Sequence, residues 1–423
     1  MAEKEEETIS EERFERLLQQ YVRLVVRAGA NVQKGQEVKL SISTELYPFA
    51  RLLVKEAYEA GAKSVQVDWQ DQDLTKLAYQ YEDVDTLGEM KKWEVEKLAY
   101  ETETLPAQIH ITSADPEGLK DLDPAKLSEV QKRRYPVVKP YRDKSDNKYQ
   151  WIIAGAPSAA WAKTVFPDLP EKEAVRALWL AIFKTSRISE DEDPLKTWAR
   201  HNESFRRHTE WLNAQAFVKL HYKASNGTDF TVPLNPKLLW AGGDEGTEDN
   251  KVRFQPNIPT EEVFTTPYPE GASGKVVASK PLSHHGRIVE NFEIEFENGR
   301  AVRWKAENGQ EILDHMITID EGASRLGEVA LVPFDSPINQ TGLLFRNTLY
   351  DENACCHLAL GRGFTNLLKE GSAHSPEELK AAGINDSMIH TDFMIGTADL
   401  EIDGEKEDGS LVPVFRNGTW AID

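Results

Sequence analysis

Four short runs of this 423-residue chain set carboxylate or imidazole side chains among apolar neighbours. The first is Asn257-Ile-Pro-Thr-Glu261-Glu262-Val-Phe-Thr265, with two carboxylates just ahead of an apolar pair. The second, Leu326-Gly-Glu328-Val-Ala-Leu-Val332, puts one carboxylate at the front of a strand that reads as buried. The third runs from Tyr350 to Phe364 and mixes Glu352 and His357 into small, apolar residues. The fourth is Ile389-His390-Thr-Asp392-Phe-Met-Ile395. A charge in an apolar run is costly unless it is paired or holds a metal.

Spacing gives these residues local meaning. In a strand, residues i and i+2 share a face, so His390 and Asp392 point the same way and Phe393 and Ile395 the other. The step from Glu352 to His357 fits neither the strand nor the helix period. It suits a turn leading into a helix, with Glu352 just before it and His357 inside it. Each residue also has a plainer reading. Glu261 and Glu262 follow Pro259-Thr260 and fit the acidic first turn of a helix, which its dipole favours. Glu328 could equally be a surface residue at a strand start. His284-His285 reads as a solvated loop, and His374 as a residue in the loop before a helix.

The combination favours chemistry. Glu262, Glu328, Glu352 and Asp392 with His357 and His390 form a carboxylate and imidazole set without thiolate, which suits Zn, Co or Mn at a catalytic site. Six ligands are too many for one catalytic zinc. They are reasonable for two ions with bridging carboxylates, which would share and activate a hydrolytic water.

The elements that must position these residues change character along the chain. Thr8 and Glu11 fit a capping box, and Phe14, Leu17, Leu18, Tyr21, Leu24 and Val25 then follow the helical period up to Gly29. Gln36 to Ser43 alternates as a strand. Glu45 to Ala60 is helical and stops at Gly61, and Ser64 to Trp69 is again a strand. This β-α-β order implies a parallel sheet. Gln108 to Ser113 and Gln150 to Ala154 read as further strands, and Glu171 to Thr185 and Leu195 to Leu212 as helices. After about Asn213, strands flank Asn226-Gly227 and Asn298-Gly299, both hairpin signals, and Asn417-Gly418 adds another. A helix is expected near Glu311 to Ile319. The expected fold is an α/β N-terminal domain, 1–213, followed by an α+β C-terminal domain, 214–423, rich in antiparallel strands and carrying the metal site.

Composition narrows the partners. Lys plus Arg number 50 against 71 Asp plus Glu, a net charge of −21. That charge repels phosphate backbones and anionic lipid, which argues against nucleic acid and membrane surfaces. No apolar stretch is long enough to span a bilayer. Met1 to Glu7 is acidic and lacks the basic start and apolar run of a secretory signal. The two cysteines, Cys355 and Cys356, are adjacent and poorly placed to bridge each other. A reducing, cytoplasmic setting is expected.

The four phrases, their order and their spacing resemble the M29 family of metallopeptidases, the aminopeptidase T and aminopeptidase S group. Arg27-Ala-Gly-Ala-Asn-Val-Gln-Lys-Gly-Gln36 extends the likeness into the first half. The resemblance implies an exopeptidase that removes N-terminal residues from peptides with two divalent ions (Zn, Co, Mn or Mg). It also implies a homodimer whose active site is enclosed. Carried over by motif, the ligands would be Glu262, Glu328, Glu352, His357, His390 and Asp392. An ion pair that activates a water needs a carboxylate to take its proton, and Glu262 or Glu328 is the expected general base. One position departs. The family commonly carries a tyrosine seven residues after the histidine, and here that residue is Phe364, which cannot donate a proton. Tyr350 and Tyr268 are candidate replacements. A non-catalytic or weakly active relative that binds metal or peptide, or a dipeptidase-type amide hydrolase, is the alternative.

Overall fold

The computed structural model describes residues 9–248, 251–284, 287–369 and 375–422. Its first layer is a parallel sheet. Strands β1 (Glu37–Ser43), β2 (Ser64–Gln70), β3 (Ala107–Thr112), β4 (Trp151–Gly155) and β5 (Asn257–Ile258) lie in the order β5-β4-β3-β1-β2. The alternation of Val38, Leu40 and Ile42 places all three in the core. Helix α1 (Glu11–Leu24) buries Phe14, Leu17, Tyr21 and Leu24, the stripe that its period requires. Its N-cap is Ser10, whose hydroxyl accepts from Arg13 N at 3.2 Å; the expected cap, Thr8, lies outside the described residues. A wider turn, Val25–Gly29, continues it. Gly29 is needed there because a Cβ would fall 2.1 Å from Ile152 Cδ1. Helix α2 (Tyr47–Ala60) ends at Gly61 in the left-handed region, as expected.

The helices Glu171–Thr185 and Pro194–Gln215 match their periodicities. Four others, Gln72–Tyr81, Val84–Gly88, Lys92–Thr104 and Pro124–Ser145, were not legible in the sequence. The physical reason is burial. Lys92–Thr104 has no fully buried residue and Pro124–Ser145 only Val130, so no apolar stripe marks them, while Gln72–Tyr81 sets Leu74, Leu77 and Tyr81 at helical spacing but leaves all three exposed.

The rest of the chain is mainly antiparallel. Strands β6 (Val263–Thr265), β7 (Leu326–Leu331), β8 (His357–Gly361) and β9 (His390–Met394) lie side by side in that order, with Ala241–Gly242 on the outer edge of β6. A larger antiparallel sheet carries the hairpins. Arg287–Glu297 and Arg300–Asn308 turn at Asn298 and Gly299, both at positive φ (49° and 84°), as a two-residue hairpin prefers. The helix Gln310–Thr318 packs against them. The whole is a mixed α/β fold.

Two large hydrophobic cores result. The first, around the parallel sheet and its helices, also takes in Ile258, Phe345, Leu349 and Tyr350 from far along the sequence. The second joins the antiparallel sheets. Among the described residues no helix is long and apolar enough to cross a membrane.

Candidate metal centre

Strands β6 to β9 present the flagged residues on one face. Glu328 on β7 is opposite Ala359 on β8, and Ala359 is opposite Asp392 on β9. Glu328 is 3% exposed, which settles its surface alternative against it. His357 opens β8, and Glu262 immediately precedes β6. His390 and Asp392 share a face as the i, i+2 rule requires, with Nε2 to Oδ1 at 3.3 Å. Phe393 points away, against Phe292.

The side chains converge. His357 Nε2 lies 3.2 Å from Glu262 Oε2 and 4.0 Å from Glu328 Oε1. His390 Nε2 lies 3.0 Å from Glu328 Oε2. Two triads are compact enough to hold an ion each, Glu262-Glu328-His357 and Glu328-His390-Asp392, with Glu328 common to both. The second nitrogen of each imidazole faces a backbone carbonyl: His390 Nδ1 is 2.7 Å from Arg362 O, and His357 Nδ1 is 3.4 Å from Cys355 O. That fixes ring orientation and leaves Nε2 free to act as a ligand. Glu352 is outside the two triads, partly buried beside them.

Three local expectations are corrected here. Glu261 and Glu262 do not start a helix; both glutamates lie buried in irregular chain leading into β6. A surface helix turn would leave them hydrated, whereas here paired side chains receive them. Glu352 follows a short helix (Thr348–Asp351) instead of preceding one, and His357 is in a strand. The apolar Leu358-Ala-Leu run is buried on both faces, so it lacks the alternation that marks an exposed strand. His284 ends a short strand, Leu282–His284, and is half-buried; His285 and His374 lie outside the described residues.

Burial and mutual charge set the protonation of the cluster. Glu328 is pushed up to about 7, chiefly by burial, with Glu262 and Asp392 adding to the rise and the His390 hydrogen bond opposing it. Burial, then Asp392, Glu262 and Glu328, lift Glu352 well above the carboxylate range. Burial opposes protonation of His357, but the Glu262 hydrogen bond and the charge of Glu328 raise it to about 9. Burial likewise works against His390, yet Asp392 and Glu328 hold it well above its ordinary value. Asp392 falls to about 2, because His390 outweighs its burial. Four carboxylates face two imidazoles, and protons are held to offset the excess negative charge. Divalent cations would offset it instead. Asp392 Oδ1 is buried and makes no hydrogen bond, facing His390 Nε2 at 3.3 Å, so it is an acceptor that a cation would satisfy. The donor set and this atom fit divalent ions.

A cavity of about 500 Å³ opens beside the cluster, lined by Glu262, His390, Phe264, Phe364, Arg362 and Glu245 among others. The Phe364 ring centroid is 5.0 Å from that of His390 and 5.0 Å from that of Phe264. Tyr350 and Tyr268 do not line this cavity. The Tyr350 hydroxyl is instead buried in the first core near Tyr21 and Gly155, its ring stacked on Phe345.

The sequence reading missed the residues around Glu261. Arg187 and His201 come from the first half of the chain and carry no local motif. Asn353 lies inside the third run, and its residue type does not mark it as a partner of the Glu261 segment.

The family profile described as thermophilic metalloprotease (M29) matches residues 14–420. The chain belongs to the M29 metallopeptidase family. It is 44% identical over 410 residues to aminopeptidase AmpS of Bacillus subtilis, covering 97% of this chain and 99% of the relative. It is 40% identical to aminopeptidase 2 of Geobacillus stearothermophilus, over the same shares of the two chains. The solved structure of wild-type AmpT from Thermus thermophilus superposes with a TM-score of 0.89 at 39% identity, covering 97% of this chain and all of that one. Membership of M29 accounts for the order of the four phrases along the chain.

Proposed function

We propose that this M29 metallo-exopeptidase cleaves the first peptide bond of peptides with a free N-terminus at the Glu262, Glu328, Glu352, His357, His390 and Asp392 cluster. It is a metal-dependent aminopeptidase. The observation that carries the assignment of the site is the meeting of residues from four separate phrases on one sheet face, with the Asp392 acceptor left unsatisfied. Glu328 common to two triads supports a pair of ions that these residues would hold, and the closeness of Glu352 to the charges of Asp392, Glu262 and Glu328 supports it as a sixth ligand. Divalent ions of the Zn, Co, Mn or Mg type supply Lewis acidity that activates a water and polarises a carbonyl. The remaining tasks belong to the chain. Glu262 or Glu328 takes the proton of the hydrolytic water as general base and returns it to the departing amine. The surplus carboxylates hold the α-ammonium, which restricts cleavage to the N-terminus. The cavity walls exclude bulk water.

The reading extends to organisation. The ligand residues all fall between 262 and 392, which supports a catalytic domain at 214–423 behind an α/β domain at 1–213. A homodimer is supported by the exposed rings of Tyr47, Tyr58 and Trp69 around the edge strand β2. Light scattering that gave the mass of one chain at micromolar concentration would refute it. Two free cysteines support a reducing, cytoplasmic setting.

The test is hydrolysis of aminoacyl chromogenic substrates, with N-acetylated controls, by chelated protein given Zn, Co, Mn or Mg. Activity that returns with metal and vanishes on acetylation is expected. Full activity in thoroughly chelated protein, or equal cleavage of the acetylated controls, refutes the reading.

A further inference from the structure

We infer that Arg187, acting through Glu261 and assisted by Asn353 and His201, is a positioning residue for the metal-ligand segment that carries Glu262. The inference rests on the function proposed above.

Glu261 and Glu262 are adjacent carboxylates just ahead of β6, and they reach different partners. Only Glu262 reaches His357. Glu261 is 6% exposed and faces the first half of the molecule. There the Arg187 guanidinium grips it with both terminal nitrogens, Nη2 to Oε2 at 2.8 Å and Nη1 to Oε1. Such a fork fixes direction as well as charge. The neighbouring backbone is held too. Glu261 N donates to Asn353 Oδ1 at 2.7 Å, and His201 Nε2 lies 2.9 Å from Thr260 O. Asn353 is fully buried, and its amide donates to Leu349 O at 3.0 Å and Glu352 Oε1 at 3.3 Å. One asparagine therefore ties the Glu262 segment to Glu352.

The backbone of Arg187 takes a conformation in which a side chain is costly. It follows the helix Glu171–Thr185 at φ 56°, with Ile188 N bonded to Phe183 O at 2.8 Å. This is the left-handed closing position that glycine normally fills. A non-glycine residue is strained there. Here the guanidinium that this residue carries neutralises Glu261. Without it, a second unpaired carboxylate would sit one residue from Glu262 and draw the segment toward whatever cation is near.

The experiment compares Arg187→Gly, Arg187→Lys and the double variant Arg187→Gly/Glu261→Gln with the parent enzyme. Glycine suits the backbone at this position, so loss of activity is not a matter of a disrupted helix end. Measured are kcat and KM on an aminoacyl chromogenic substrate, zinc affinity by chelator competition, and thermal unfolding. Outer partners of metal ligands typically govern about 10–100-fold in affinity or activity. Arg187→Gly is expected to lose that much in kcat and in zinc affinity with KM within about twofold. Arg187→Lys should fall between. The double variant, freed of the unpaired carboxylate, should regain at least about tenfold of what the single one lost. Arg187→Gly with parental kcat and zinc affinity, or a double variant no better than the single one, overturns the inference. A parent enzyme that binds no zinc and cleaves no substrate would instead overturn the functional reading beneath it.

Discussion

Glu328 and His390 meet at 3.0 Å although a whole strand, β8, separates their own. Adjacent strands are about 4.8 Å apart, so the β7 and β9 backbones stand roughly 10 Å from each other. The gap closes only because β8 keeps low between them. Ala359 is the register partner of both Glu328 and Asp392, and Gly361 is the partner of His390.

That geometry predicts a role for a methyl group. Ala359 is fully buried, and Ala359→Leu would raise a branched side chain between Glu328 and Asp392. Overpacking of this kind costs about 1–3 kcal/mol of stability. Metal content and kcat should fall much further than stability does. A variant with parental metal content and kcat would show that β8 does not set the spacing.

Glu352→Ala and His357→Ala should each lose most activity by losing ions, not fold. Burial, and after it the neighbouring carboxylates, disfavour an ionised Glu352 in the ion-free chain, so removing the side chain removes that cost. Unfolding temperature without metal should therefore hold or rise for Glu352→Ala while bound metal drops. A variant that keeps its full complement of metal shows that its residue is not a ligand.

Phe364 is where a missing hydroxyl can be restored. The ring lies beside His390 at the cavity, whereas the Tyr350 hydroxyl is enclosed in the first core. That location removes Tyr350 as the favoured substitute. Phe364→Tyr should raise kcat with metal content unchanged, and Tyr350→Phe should leave kcat alone. One oxyanion donor is worth about 2.7–4 kcal/mol where it has been measured, which sets the upper bound of the gain. No gain from Phe364→Tyr would detach the hydroxyl argument from this enzyme.

His208 should make the fold acid-sensitive in a defined window. Its ring stacks on Trp420 at 4.2 Å, and burial, aided by Arg207, lowers its pKa from 6.5 to about 4. A depressed histidine favours folding above its unfolded value and loses that contribution as pH falls from about 6.5 toward 4. His208→Phe should flatten the decline of unfolding temperature between pH 7 and pH 5. An unchanged decline would remove His208 as its source.

The sequence made the periodic elements legible, and the cluster too, because charges in apolar runs are conspicuous. Helix Glu171–Thr185 was read to the residue. What escaped had no local signature. Helix Lys92–Thr104 buries too little to show a stripe, and the Leu74, Leu77 and Tyr81 stripe of Gln72–Tyr81 faces outward with no core to confirm it. The Glu352 to His357 step was misread because β8 is apolar on both faces and only its neighbours reveal it as a strand. Arg187 and Glu261 are 74 residues apart, and nothing local in either segment announces the other.

Strand β5 is only two residues long, yet it binds Asn257 and Ile258 into the parallel sheet four residues before Glu262. The ligand-bearing segment is thus anchored in one sheet and delivers its side chain to another. Exchange of halves between relatives would have to respect that crossing. A chimera joined near 213 inherits β4 from one parent and β5 from the other, so a mismatch at a two-residue seam becomes a misplaced glutamate. In recombined enzymes of this family, failure of catalysis in well-folded chimeras should trace to that seam.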